Sequence, residues 1–303
     1  MKRSFQLIAF ISIVLITTLA FSEIKLPSST IIFSKPVSAA TSQENIWFMS
    51  NSTDWKPRLL ISGRQILEGK LSPDGKNLLC FDSNRIYTFE YSFEKKKAAN
   101  LFKGFNARYS PSGKLVAFIS QKELSTGGVG RIVEVYDRQS KQTKIIAEGK
   151  PFPSQYHSVS WVSDNEIAFV SESPNKATSV LIYNLQGQQK RQISFPTSLS
   201  NISGLVLAPD GLTWLFQATN RADSDVSRIY SMKVDGNDVK KSYEDGSKLY
   251  HYAPSWAPDS KHIAFSSSYE GTKELIILDI RSGETIKTTG FILDWGGEII
   301  QGK

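Results

Sequence analysis

The chain has 303 residues, a formal net charge of +7 and a single cysteine, Cys80, which rules out an intramolecular disulfide. Stability must therefore come from buried area, which a chain of this length supplies as one large all-β domain or two small ones. Four basic and one acidic residue lie in the first 39 positions, so the remaining 264 residues carry only about +4, too mild an excess to imply a nucleic-acid partner.

Lys2 and Arg3 precede an apolar run over residues 5–21, broken only by Gln6, Ser12, Thr17 and Thr18. A basic start followed by such a run predicts an export signal. At 17 residues the run sits at the short edge for crossing a bilayer, so a cleaved signal peptide and a retained membrane anchor both fit. Either arrangement places the rest of the chain outside the cytoplasm, periplasmic or extracellular. Small residues suit cleavage at Ala20-Phe-Ser22 before Glu23 and at Val37-Ser-Ala39 before Ala40. A lipid-modified N-terminal cysteine is excluded, because the leader holds none. The expected division is a leader over 1–39, a spacer over 40–44 and a folded domain over 45–303. The Ser-, Thr- and Ala-rich spacer character reaches back to residue 22.

The folded part repeats. Leu71-Ser-Pro-Asp-Gly-Lys, Tyr109-Ser-Pro-Ser-Gly-Lys, Trp161-Val-Ser-Asp-Asn-Glu, Leu207-Ala-Pro-Asp-Gly-Leu and Trp256-Ala-Pro-Asp-Ser-Lys are five versions of one element, each followed by an apolar strand. Proline presets φ for the first central position of a turn, and Gly or Asn tolerates the positive φ that follows. With Pro73, Pro111, Ser163, Pro209 and Pro258 equivalent, the steps are 38, 52, 46 and 49 residues. A period of that size with paired strands predicts an all-β fold, a β-propeller.

A third strand rich in β-branched and aromatic residues follows each pair, over 85–91, 131–137, 179–184, 228–233 and 274–279. A more polar fourth strand follows over 98–102, 143–147, 189–194, 239–243 and 285–289, as suits the outermost strand of a blade. These are blades one to five. Residues 45–50 and 56–62 read as a third and fourth strand, and residues 291–295 and 296–300 as a first and second. Together they predict a sixth four-stranded antiparallel blade closed by both termini, which hides two free edges. Cys80, on an apolar strand, is expected in the core.

The tract Tyr252-Ala-Pro-Ser-Trp-Ala-Pro-Asp-Ser-Lys-His-Ile-Ala-Phe-Ser266, with Glu274-Leu-Ile-Ile-Leu-Asp-Ile-Arg-Ser-Gly283 after it, resembles one repeat of the TolB-like β-propeller family. The resemblance covers about residues 45–300. It implies a six-bladed propeller, often exported, that in several relatives docks other envelope proteins. The family's namesake has an additional N-terminal α/β domain where this chain has a short spacer, so the likeness is confined to the repeats.

Local motifs for chemistry are few. Gly127-Gly-Val-Gly130 opens a strand rather than a helix and reads as a hairpin, not a dinucleotide loop. The carboxylates of 235–238 and 222–225 lack the spacing of a calcium loop and read as turns. No Gly-x-Ser-x-Gly elbow or close-set histidine pair occurs, so neither a catalytic residue nor a metal ligand is assigned and no cofactor is expected. His262, beside its turn, is expected to face solvent. His157 and His251 fall just before first strands, and equivalent positions hold Phe105, Asn106, Arg108 and Asn201. In a propeller those positions surround the mouth of the central channel. Arg108, Tyr156, His157, Asn201, His251 and Tyr252 are accordingly the expected rim of a protein- or peptide-binding site. The alternative places those residues between blades as packing. The functional expectation is an exported, monomeric, non-enzymatic scaffold, and the alternative a lactonase- or lyase-like enzyme with a divalent metal held in the channel by scattered Asp, Asn and Glu.

Overall fold

The computed structural model describes residues 26–37, 43–64, 66–149, 155–173, 177–222, 226–244, 250–269 and 272–299. The apolar run of the leader lies outside them. In chain order the strands are β1 (Thr30–Pro36), β2 (Glu44–Ser50) and β3 (Arg58–Arg64), then five groups of four and a last strand that complete the ring. Blade one is β4 (Ile66–Leu71), β5 (Asn77–Asp82), β6 (Tyr87–Ser92) and β7 (Lys97–Lys103). Blade two is β8 (Phe105–Tyr109), β9 (Leu115–Glu123), β10 (Val129–Asp137) and β11 (Thr143–Glu148). Blade three is β12 (Gln155–Ser163), β13 (Glu166–Glu172), β14 (Thr178–Asn184) and β15 (Gln189–Ser194). Blade four is β16 (Leu199–Leu207), β17 (Thr213–Asn220), β18 (Ser227–Lys233) and the two-residue β19 (Lys240–Lys241). Blade five is β20 (Tyr250–Trp256), β21 (His262–Tyr269), β22 (Thr272–Asp279) and β23 (Thr285–Thr289), and β24 (Phe291–Gly296) returns to the first three strands. The result is six antiparallel sheets of four strands, a six-bladed propeller.

Locally the turns are built as their residues dictate. The Asp74, Asp210 and Asp259 carboxylates each accept the backbone N–H two residues on, from Lys76, Leu212 and Lys261 at 2.9–3.1 Å, fixing the hairpin between first and second strands. Asp235 does the same for Asn237 at 3.0 Å, so its carboxylate serves the turn. Gly127 and Gly128, with φ of 86° and 80°, lie in the connection from β9 to β10.

Packing is between blades. Six buried apolar clusters fill the six interfaces between neighbouring blades: the third and fourth share Trp214, Phe216, Val170 and Ile182, and the sixth and first share Ile32, Phe48, Leu78 and Cys80. Cys80 is a core residue, as its strand predicts.

The closing blade differs from expectation in one strand. Its order is β24-β1-β2-β3, so the C-terminus supplies only the innermost strand and the N-terminus three. The second strand, expected over 296–300, is instead Thr30–Pro36, which the sequence reading left in the leader and spacer. The reason is burial: Ile31, Ile32 and Phe33 are at most 1% exposed, flanked by β24 on one side and β2 on the other. His262 also departs from expectation. It is 5% exposed, with Nδ1 2.7 Å from Asp259 Oδ2 and its ring centroid 6.2 Å from that of Trp295. The turn aspartate folds back onto it, and a tryptophan of the next blade covers it.

Candidate functional site: the channel waist

The innermost strands β4, β8, β12, β16, β20 and β24 contact one another in a closed ring around a central channel. Each carries a register shift partway along. At that irregularity the residue five before the turn proline, or its equivalent, adopts left-handed φ in four blades: Asn106 (54°), Ser158 (42°), Gly204 (64°) and Ala253 (55°). Gly204 needs its lack of a side chain twice over, since a Cβ there would also lie 3.0 Å from Pro254. Bulges of this kind re-aim side chains. Here they leave two rings of channel-lining positions, one five and one three residues before each turn.

The first ring is Glu68, Asn106, Ser158, Gly204, Ala253 and Ile292, and the second is Lys70, Arg108, Ser160, Val206, Ser255 and Asp294. Between them, side chains of the two rings staple four of the six blades to their successors. In the first, Glu68 Oε2 accepts the Asn106 N–H at 2.6 Å and Ser158 Oγ accepts the Gly204 N–H at 2.6 Å. In the second, Ser160 Oγ accepts the Leu207 N–H (3.3 Å), Ser255 Oγ that of Trp295 (3.0 Å) and Asp294 Oδ2 that of Leu71 (2.8 Å). Lys70 and Arg108 occupy the same position but have no acceptor to offer. Val206 has none either, so three positions of this ring lack the staple, and two of them carry a positive charge in its place.

Two cavities meet there. One of about 310 Å³ lies toward the starts of the inner strands, against Leu67, Glu68, Ser158, Gly204, Ala253 and Phe291. The other, about 200 Å³, lies toward their ends, against Ser160, Trp161, Val206 and Asp294. Lys70 and Arg108 line both and so mark the waist of the channel.

The charges at the waist are unequal in their partners. Lys70 Nζ donates to Asp294 Oδ1 at 3.0 Å and to the Leu293 carbonyl. Burial, then Arg108, bring its pKa down to about 8 against the pull of Asp294 and Glu68. Burial pushes the Glu68 carboxyl up, opposed by Arg108, the Asn106 N–H and Lys70. Arg108 is pulled down by burial, with Asp294 and Glu68 holding it up, and as a guanidinium it stays charged at neutral pH. Its Nε is buried, and among the described residues nothing accepts its proton. The Arg108 backbone is fixed by Trp161, whose Nε1 donates to its carbonyl at 2.9 Å.

The residues expected at the rim separate. Arg108 belongs to the waist rather than the rim. Tyr252 stands near the larger cavity, its ring 5.3 Å from that of Phe291. His251 is fully buried, with the rings of Tyr243 and Phe265 each 5.3 Å away, so it packs between elements and presents no surface to a partner. Asn201 is exposed, with left-handed φ (52°), and does not line either cavity. Tyr156 and His157 lie on β12, but their side chains are outside the described residues. Glu68, Lys70 and Asp294 were not anticipated. Their signal was available: aligned on the turn, the third residue before each proline is charged in three blades and small in the others.

The fold defines the class, a six-bladed propeller with a polar waist. Its architecture is that of the TolB propeller. TolB from Acinetobacter baumannii superposes with a TM-score of 0.70 at 15% identity, covering 89% of this chain and 67% of that one. A chain of the nidogen/laminin complex gives 0.64 at 8% identity, covering 88% and 97%. Oligogalacturonate lyase in complex with manganese gives 0.51 at 14% identity, covering 87% and 74%. At these identities the likeness is one of fold. No family model and no curated protein matches the chain.

Proposed function

We propose that this chain is an exported binding propeller that receives a protein or peptide partner at the channel mouth that holds the larger cavity. The observation that carries the reading is the mouth itself: apolar Leu67 (52% exposed) and Phe291 line a 310 Å³ cavity whose floor is polar and charged, and the Tyr252 ring lies 5.3 Å from that of Phe291. Apolar walls with a few fixed polar groups are the usual make-up of a ligand site. Tyr250, 45% exposed on the same strand as Tyr252, extends the apolar surface outward. The basic, apolar leader supports placing the site outside the cytoplasm, and the nidogen chain, found in a complex with laminin, is a propeller of like fold with a protein partner.

A photo-crosslinking residue at Leu67 should trap one dominant partner in intact cells, and one at Ile280, exposed away from the channel strands, should not. Adding Tyr250→Ala and Tyr252→Ala should reduce the trapped species about tenfold or more, the range expected for aromatic anchors. Equal yield from both crosslinker positions would remove the mouth as the site.

The alternative, a lyase-like enzyme with a channel metal, draws on the fold shared with the manganese-bound lyase. The donor set here does not fit it. Glu68 and Asp294 are interleaved with Lys70 and Arg108, and Lys70 already takes an Asp294 oxygen. A divalent cation at that level would face two fixed positive charges.

A further inference from the structure

We infer that the waist of the channel is a carboxylate-binding subsite, in which Arg108 receives the carboxylate of a ligand threaded from the side of the larger cavity. The inference rests on the channel being the ligand site and adds the chemistry of what reaches its floor.

Three observations carry it. First, Arg108 and Lys70 stand in a ring position where Ser160, Ser255 and Asp294 each hold the next blade by accepting a backbone N–H. Placing cations there gives up two such bonds, so their role is not the one the ring otherwise serves. Second, the two cations differ: Lys70 is engaged by Asp294 and Leu293, whereas the buried Arg108 Nε has no acceptor among the described residues. Buried donors are nearly always satisfied, so an orphaned Nε–H on a guanidinium that lines both cavities points to an acceptor that arrives with a ligand. Third, the lining contributed by blades three to five is small (Ser158, Gly204, Ala253 and Ser160), and Arg108 lines both open volumes.

The charge balance selects the anion. Lys70 and Arg108 are offset by Asp294 and Glu68, with Lys70 committed to Asp294. Lys70 has its ion pair, whereas among the described residues no carboxylate forms one with Arg108, which is left as the cation without such a contact. One negative charge completes the set, and a doubly charged phosphate would confront both carboxylates. A planar monoanion that accepts two parallel N–H bonds matches a guanidinium, and a carboxylate is such a group. It has three sources: a peptide C-terminus, an acidic side chain, or a small free acid.

The experiment uses the full chain and four probes: acetyl-trialanine with a free C-terminus, the same peptide amidated, an amidated peptide with one internal glutamate, and propanoate. Binding is read by calorimetry and by the ¹⁵N-arginine Nε–H resonance of Arg108, assigned by its loss in Arg108→Lys. At least one acid should bind and move that resonance, and Arg108→Gln should weaken it about tenfold or more. Preference for the free C-terminus, the glutamate peptide or propanoate identifies the source, and each supports the subsite. Equal binding of the amidated trialanine, an unmoved resonance at saturation, or no binding by any acid overturns it. The resonance is measured on the wild type, so a variant that fails to fold does not decide the matter. If the acids fail while crosslinking at Leu67 succeeds, only the waist subsite is lost.

Discussion

The two walls of the channel are built from the same repeat and do opposite things. Blades three to five contribute Ser158, Ser160, Gly204, Val206, Ala253 and Ser255, all small, whose hydroxyls knit one blade to the next. Blades six, one and two contribute Ile292, Asp294, Glu68, Lys70, Asn106 and Arg108, larger side chains of which four are charged. The first wall spends its side chains on closing the ring. The second spends part of its own on charge and relies on Asp294 both to hold blade one, through the Leu71 N–H, and to anchor Lys70. A repeat scaffold can thus devote one arc to stability and the other to recognition, because neighbouring blades need only contact each other.

The largest test removes the support of the charged wall. Asp294 sits on β24, whose one ladder within its own sheet is with β1. Ile31, Ile32 and Phe33 of β1 each stabilise by roughly 1.5–3 kcal/mol through burial, a sum comparable with the whole stability of a domain, about 5–15 kcal/mol. A chain beginning at Ala40 should therefore lack a cooperative urea transition, whereas one beginning at Glu23 should keep it. The N-terminus of any processed form, read by sequencing, should accordingly be Glu23. A cooperative transition in the shorter chain would show that β1 is dispensable.

Second in size is Asp294→Ala. It leaves the Lys70 ammonium without its carboxylate and the Leu71 N–H without its acceptor, at sites only 14% exposed. Removing one partner of a buried pair costs about 3–5 kcal/mol. Chemical denaturation should show a loss in that range. Ser160→Ala, on the other wall, removes one neutral hydrogen bond worth about 1 kcal/mol. Equal losses would dissolve the distinction between the walls.

Much of this was legible in the sequence where the code is local. The turn aspartates, the following apolar strand and the period follow from short-range chemistry, and they place all four strands of five blades. What failed was long-range. Ile31-Ile-Phe33 is a three-residue apolar run in a Ser- and Thr-rich stretch, and only pairing with β24, some 260 residues away, makes it a strand. His251 was misplaced by one step of the pleat: between exposed Tyr250 and half-buried Tyr252, its side chain turns to the opposite face. The waist could be read as a column of the aligned repeats. Six positions spaced about 45 residues apart become one site only when the ring closes.

A third test, smaller than the loss expected of Asp294→Ala, isolates Lys70. In the unfolded chain its ammonium titrates near 10.5 and in the folded one near 8, because burial and Arg108 outweigh Asp294. Between those values the unfolded state holds more protons, so stability rises with pH across the window. Below pH 8 both states are protonated and the penalty of the buried charge is present in full. Above 10.5 it is gone. Other groups titrate there too, so the measurable quantity is a difference. Relative to Lys70→Met, the wild type should gain on the order of 2 kcal/mol between pH 8 and 10. Wild-type and variant stabilities that run parallel over that window would mean the ammonium is no worse solvated in the channel than in water, and the charged wall would then be ordinary surface folded inward.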